Sequence, residues 1–263
     1  MKFIFDLDGT ICFKGQPLSD AMVQALDFLV EKGHEIIFAS ARPIRDLLPI
    51  LPSHMHHFPM VGGNGGFVAT GGTILSTIAF DPATAASIIG LIRSFEAEYL
   101  IDSKWDYAYS GSEEHPIRRN LDPQQRATNI GIDELTEIIK VVILHSLDGQ
   151  KMLEELLKLP IVIYRHASED IIDISPLGID KWTGLQKLGI MPQEFIAFGN
   201  DANDVSMFKH AKRAICVGDH ADLLLLTAEQ VINKEAHVIN KIITLMEGLE
   251  MEGTQHEVSL LKC

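Results

Sequence analysis

Cysteine is scarce in this chain. The three cysteines among 263 residues, Cys12, Cys216 and Cys263, are odd in number and scattered, so they form neither a disulfide framework nor a CxxC pair. Positive charge is also in short supply: 22 Lys and Arg stand against 36 Asp and Glu, a net charge of −14. That balance argues against nucleic acid or an anionic membrane surface as the main partner. No apolar run approaches the roughly 18 residues of a membrane-spanning helix. The first residues run into a strand and a charged pair, so no signal peptide and a cytoplasmic protein are expected, and no repeat or low-complexity tract interrupts the chain. What is present, 46% hydrophobic and 22% charged residues, is the profile of a soluble globular protein. The length suits one large domain or a core domain with an insertion.

The chain is organised around its opening, Phe3-Ile4-Phe5-Asp6-Leu7-Asp8-Gly9-Thr10. A β-prone apolar run leads into two carboxylates one residue apart, which share a face if the strand continues. Like charges that close together need a cation or a proton between them. A hard divalent ion with oxygen ligands answers this, and Mg²⁺ suits two carboxylates completed by water and a substrate phosphate. A strand end followed by an ordinary Asp-Gly turn accounts for the same residues locally.

After this strand, Ser19 to Lys32 has helical spacing of Met22, Val23, Leu26, Leu29 and Val30, with Ser19 placed to cap it and Gly33 to end it. Glu35 to Ala39 is a second buried strand, delivering Ser40-Ala41-Arg42-Pro43. Strand, helix, strand makes a βαβ unit and hence a parallel sheet. Ser40 then lies at a strand's carboxyl end, where open α/β sheets bind ligands, although a helix cap explains it equally. His54, His56 and His57 lie between prolines and read as a solvated loop rather than a metal site. Residues 67–80, broken at Gly71-Gly72, read as a β-hairpin.

The composition changes at Asp81-Pro82. A helix to Phe95 is followed by short strands near 99–102 and 107–109, a polar loop from Gly111 to about Ile130, a strand at 138–145, a helix at 149–158 and strands at 161–165 and 171–174. This is an α+β insertion of plausible domain size. The βα rhythm resumes at Ser175, with a helix opened by Gly178-Ile179-Asp180-Lys181 and a buried strand, Phe195 to Phe198, ending in Gly199-Asn200-Asp201-Ala202-Asn203-Asp204. A short helix, a strand at 214–217 and a last amphipathic helix at 237–249 follow. The expected division is a core of residues 1–81 and 176–250, an inserted domain of 82–175 and a frayed tail of 251–263.

Asp6/Asp8, Ser40, Lys181 and the 199–204 loop stand in order at strand ends or helix starts. Together they resemble the four motifs of the haloacid dehalogenase-like hydrolases: Asp-x-Asp-Gly-Thr, a Ser or Thr, a Lys, and an acidic loop ending Asn-Asp. The place and α+β content of the insertion, with Asn64-Gly65 and Met207, resemble the Cof-like type IIB members, which carry a C2B cap. The resemblance covers nearly the whole chain. It implies a doubly wound, Rossmann-like parallel-sheet core of α/β class with an inserted α+β cap.

The resemblance also implies a Mg²⁺-dependent phosphatase of a small phosphorylated metabolite, such as a sugar phosphate. Asp6 would be the nucleophile forming an aspartyl-phosphate, and Asp8 the general acid and then base. Asp6, the Asp8 carbonyl and the last motif would hold the metal, and Ser40, Asn203 and the Leu7 and Ala41 amides the phosphoryl oxygens. Lys181 would supply fixed positive charge. One departure stands out: the usual first acidic residue of the last motif is Asn200 here, with Asp201 following. Asn200 is taken as the ligand and Asp204 as its support in the metal set; Asp201 either restores the charge or caps the next helix. Cap candidates for substrate contact are Trp105, Tyr107, Tyr109, His115, Arg118 and Arg119, while Arg42 is a weaker candidate that could instead pair with a carboxylate. A phosphomutase of the same fold and a catalytically faded phosphate-binding regulatory module remain as alternatives.

Overall fold

The computed structural model describes residues 1–165 and 171–260. Its larger sheet has eight strands in the order β13-β12-β11-β1-β2-β3-β4-β5. Of these, β1 (Lys2–Phe5), β2 (Glu35–Ala39), β3 (Met60–Gly62), β11 (Phe195–Gly199), β12 (Arg213–Val217) and β13 (Gln230–Val231) run parallel. The hairpin β4 (Phe67–Thr70) and β5 (Thr73–Thr77) closes one edge antiparallel.

The alternation of side chains along the strands builds a core on each face of this sheet. Phe3, Phe5, Ile36, Phe38, Ile196 and Phe198 point to one side, with Met22, Leu26 and Leu29 of α1 (Asp20–Glu31) and Val238, Ile242 and Leu245 of α8 (Glu235–Leu260). Ile4, Ile37, Ala39, Phe195 and Ala197 point to the other, with Trp182 and Leu185 of α5 (Lys181–Lys187), Met207 and Phe208 of α6 (Val205–Phe208) and Leu223 of α7 (Ala221–Leu224). Helices on both faces make the core doubly wound, as expected. Each buried Phe or Leu contributes roughly 1.5–3 kcal/mol of transfer free energy.

The smaller sheet is antiparallel, in the order β7-β6-β8-β10-β9, formed by β6 (Glu98–Asp102), β7 (Tyr107–Tyr109), β8 (Lys140–His145), β9 (Ile161–Arg165) and β10 (Ile172–Pro176). One face packs Ile101, Val141, Ile143 and Ile174 against α3 (Pro82–Ser94) and α4 (Gly149–Leu156). Phe80 belongs to this smaller core. The short α2 (Ile44–Leu47) follows β2.

Two expectations differ from the structure. Residues 251–260 of the expected tail are helical: α8 continues to Leu260, because Glu, Met, Leu and Gln sustain a helix and Gly253 costs only about 1 kcal/mol against alanine, while residues 261–263 lie outside the described residues. The polar loop after Gly111 is largely folded, with Leu121 and Asp122 buried. Asp122 donates its backbone N–H to Asp46 (2.8 Å) and accepts from the amides of Arg126 and Ala127 with its carboxylate. Among the described residues, no helix is long and apolar enough to cross a membrane.

Candidate active site

The central strands β11, β1 and β2 are neighbours, so their carboxyl ends meet at the middle of the large sheet. Asp6 follows β1, its own N–H donating to Phe198 O (3.0 Å), so the carboxylate leaves the strand in a fixed direction. The chain then turns tightly: the amides of Thr10, Ile11 and Cys12 all donate to Leu7 O. This turn requires glycine at position 9, where φ is +79° and a Cβ would lie 2.2 Å from Asn200 Nδ2.

Lys181 is the first residue of α5, whose start is fixed by Asp180. The Asp180 carboxylate accepts from Thr183 N (2.8 Å) and the Thr183 hydroxyl accepts from Asp180 N (2.9 Å). The fully buried ammonium donates to Asp6 Oδ1 (2.7 Å) and Asp204 Oδ1 (2.6 Å). Burial works against its charge, but Asp204 and Asp6 outweigh burial and its pKa lies above the usual lysine value. For Asp6 burial is the largest influence and pushes the carboxyl up to about 7, against the pull of Lys181.

The remaining oxygen of Asp6, Oδ2, accepts from Thr10 Oγ1 (2.8 Å). Both oxygens of Asp204 are engaged, Oδ2 by the amides of Asn200 (2.8 Å) and Asp201 (3.1 Å). Asp204 therefore braces Lys181 and the loop. Asp201 caps the turn at residues 202–204 through Ala202 N (2.7 Å), which accounts for it without a shift of register.

Asn200 meets Asp6 and Asp8 directly. With its amide nitrogen turned inward, it donates to Asp6 Oδ2 (3.0 Å), Asp8 O (3.1 Å) and Thr10 Oγ1 (3.1 Å). Turned the other way, its carbonyl oxygen takes that place and accepts from Thr10 Oγ1 (3.1 Å). Adjacent oxygens around six-coordinate Mg²⁺ at 2.0–2.1 Å stand about 3 Å apart, so Asp6 Oδ2, Asp8 O and Asn200 Oδ1 have the spacing and hardness of a Mg²⁺ donor set. Among the described residues no group of three His, Cys, Asp or Glu forms a metal site, so an amide and a backbone carbonyl are needed to complete one.

Asp8 is more exposed and is gripped by Arg42, whose Nε and Nη2 donate to its two oxygens at 2.7 Å each. Arg42 thus pairs with a carboxylate of the site itself. Ser40 is buried after β2, its Oγ accepting from Arg42 N (3.1 Å). Asn203 donates to Asn64 Oδ1 (3.0 Å) and Asn64 to Asp173 Oδ2 (3.2 Å), tying the last loop to the smaller sheet. Asn64 is held in the left-handed region (φ +54°), and at Gly65 a Cβ would lie 2.1 Å from Asp180 O, so α5 and the Asn64 turn touch backbone to backbone.

Sequence reasoning missed Lys140 and the Arg45 cluster. Lys140, buried on β8, pairs with Asp173 (2.8 Å) and donates to Ala41 O (2.6 Å). Arg45 binds Asp46 (2.7 Å) and Asp102 (2.8 Å) and donates to Trp105 O (2.8 Å). The available signal was a charged residue inside an apolar run, Lys140 ahead of Val-Val-Ile-Leu and Arg45-Asp46 between Ile44 and Leu47.

A cavity of about 1010 Å³ opens beside Asp8, Gly9, Ala41 and Arg42 and is closed on its far side by the smaller sheet and the 115–121 segment. Of the cap candidates, His115 lines it. Tyr107 is buried in the cluster on that face, with Arg45 over its ring, and Tyr109 packs against the cluster. Arg118 pairs with Glu113 (3.0 Å), and Trp105 Nε1 donates to Arg126 O (2.8 Å). The solvated histidines are anchored to the protein, His54 on Asp27 (2.8 Å) and His56 on Leu51 O (3.0 Å).

A buried carboxylate paired with a buried lysine, at the carboxyl edge of a doubly wound sheet with a second sheet over it, is the arrangement of a capped α/β hydrolase. The family profile of the haloacid dehalogenase-like hydrolases matches residues 3–242, and the chain belongs to that family. It is 23% identical over 249 residues to a 5-amino-6-(5-phospho-D-ribitylamino)uracil phosphatase of Bacillus subtilis, covering 87% of this chain and 89% of that one. It is 24% identical over 243 residues to an HMP-PP phosphatase of Cronobacter sakazakii, covering 84% and 85%. Its fold matches a solved subclass IIB sugar phosphatase with a TM-score of 0.77 at 17% identity, over 93% of this chain and 98% of that one.

Proposed function

We propose that this hydrolase is a phosphatase of small phosphorylated metabolites, working through an aspartyl-phosphate on Asp6. The observation that carries the reading is Lys181, whose ammonium lies between Asp6 and Asp204. It holds the Asp6 carboxylate in place beside Asp8, which Arg42 clamps. Asp6 attacks phosphorus as the ester P–O bond breaks, and a protonated Asp8 gives its proton to the departing alkoxide. Asp8, now a carboxylate, takes a proton from water, whose oxygen displaces Asp6 from phosphorus and releases phosphate. Ser40, Asn203 and the Leu7 and Ala41 amides bind the phosphoryl oxygens, and Lys181 offsets their charge.

Asp6, the Asp8 carbonyl and Asn200 would hold Mg²⁺, with Asp204 supporting the loop, and the ion would neutralise charge on the transferring phosphoryl. Residues 1–81 and 176–250 form the catalytic core in this reading, and 82–175 the cap. Buried free thiols at Cys12 and Cys216 support a cytoplasmic enzyme; Cys263 lies outside the described residues.

Phosphate release from a panel of phosphorylated metabolites, with and without Mg²⁺, tests this beside Asp6→Asn. Mg²⁺-dependent release that disappears in the variant is expected. Release that survives in Asp6→Asn overturns the mechanism, and no release from folded enzyme overturns the phosphatase reading.

A further inference from the structure

Three successive carbonyls after β2 are each held by a donor from elsewhere in the chain. Ser40 O accepts from Asn64 N (3.1 Å), Ala41 O from Lys140 Nζ (2.6 Å) and Arg42 O from Gly63 N (2.8 Å). Two of these holds lead to the smaller sheet. Lys140 belongs to β8, and the Asn64 side chain donates to Asp173 of β10, which is also the ion partner of Lys140.

A peptide group held at its carbonyl becomes a stronger donor at its N–H. The Ala41 carbonyl, which Lys140 holds, shares a peptide with Arg42 N–H, and that N–H donates to Ser40 Oγ (3.1 Å). Ser40 Oγ is thereby engaged as an acceptor, and its single proton is directed away from Arg42 N. The Ser40 carbonyl, which Asn64 holds, shares a peptide with Ala41 N–H. Among the described residues neither the Ser40 hydroxyl proton nor the Ala41 N–H has an acceptor. Both are donors of the phosphoryl-binding set proposed above. A charge-assisted bond is roughly twice as strong as a neutral one, and bonds in a chain strengthen each other by roughly 10–30%. The charge of Lys140 thus reaches the Ser40 hydroxyl through one peptide.

Packing alone would be served by an apolar residue at this position. Lys140 is buried at the start of a strand that continues Val141-Val142-Ile143-Leu144. An apolar pair of similar volume is often as stable as a buried ion pair.

We infer that Lys140 is a positioning residue for phosphoryl binding, acting from the smaller sheet through the Ala41–Arg42 peptide on the Ser40 hydroxyl. This rests on the phosphatase reading above and adds to its phosphoryl-binding set a residue that works at one remove.

The test measures the binding of inorganic phosphate by calorimetry, with the full chain and Mg²⁺. Asp173→Asn is the reference, because Lys140→Met added to it strands no buried carboxylate. That addition should weaken phosphate binding about tenfold or more, the scale of one hydrogen bond to a charged group. The fraction folded enters the stoichiometry and not the Kd. With Ser40→Ala also present, the same addition should cost about threefold or less, because the group it acts on is gone. A lysine that only supports the fold costs the same factor in both backgrounds. If the combined variant does not fold, Lys140→Gln, which leaves a neutral donor, replaces Lys140→Met in both comparisons. Unchanged phosphate affinity, or an equal factor with and without Ser40, overturns the inference and leaves the phosphatase reading intact. If the parent cleaves no ester, the phosphatase reading falls, and the same calorimetry still decides the role of Lys140. A parent that binds no phosphate overturns both.

Discussion

Arg42 holds both carboxylate oxygens of Asp8, through Nε and Nη2 at 2.7 Å each. Asp8 is the more exposed of the two, and a short carboxylate without such a clamp would sample several rotamers. The planar guanidinium fork selects one of them. Ser40 fixes Arg42 in turn by accepting from its backbone N–H, so Ser40 and the Asp8 carboxylate are set by one short segment.

Arg42→Lys keeps the charge and loses the fork. We expect kcat to fall about 10–100-fold with KM changing less, since misplacing an acid/base group costs the transition state more than ground-state binding. Steady-state kinetics on the best substrate checks this. An unchanged kcat would show that Asp8 needs no clamp.

Lys181→Met should destabilise the fold by about 3–5 kcal/mol, because Asp6 and Asp204 are left buried without their common cation. Adding Asp204→Asn to that variant removes one of the stranded charges and should recover part of the loss. Urea unfolding of the single and double variants measures both, and a double variant no more stable than the single contradicts the account.

Asn200→Asp places a second carboxylate oxygen beside Asp6 Oδ2 and the Asp8 backbone carbonyl. Mg²⁺ affinity by calorimetry should rise about tenfold or more with the added ligand charge. In EDTA the same variant should melt lower than the parent, since the amide donors are replaced by repulsion between like charges. Raised stability in EDTA would mean that the Asn200 amide makes no use of its inward position.

Glu229 gives a pH signature away from the site. Hydrogen bonds from Arg213 and Lys241 hold its carboxyl down to about 2, from an ordinary 4.5. A carboxyl depressed in the folded state stabilises the fold above its unfolded pKa, and that contribution is lost as pH falls from about 4.5 through 2. Glu229→Gln should therefore be less stable than the parent at pH 7, with the gap closing as pH approaches 2. Urea midpoints at pH 7, 4 and 2.5 follow it, and a gap constant with pH would assign the loss to something other than charge.

Local pattern was enough to read the doubly wound sheet, because alternation within β1, β2 and β11 already separates Phe3, Ile36 and Ile196 from Ile4, Ile37 and Ala197. The four polar clusters were legible for the same reason. Each ends a strand or starts a helix, and parallel strands bring their carboxyl ends together whatever the intervening loops do. The 111–130 segment was not legible, since Ile117 and Leu121 are isolated among polar residues and only the cavity they close makes them core.

By itself, then, the sequence determined the class of fold and which residues gather around Asp6, both consequences of short-range periodicity. Tertiary structure alone decided the ion pairs and the shape of the cavity. Arg42 meets Asp8 across 34 residues, Lys140 reaches Ala41 across 99, and Lys181 joins Asp6 across 175. Such pairings depend on the register of one sheet over another, and no local spacing encodes which buried charge will find which partner.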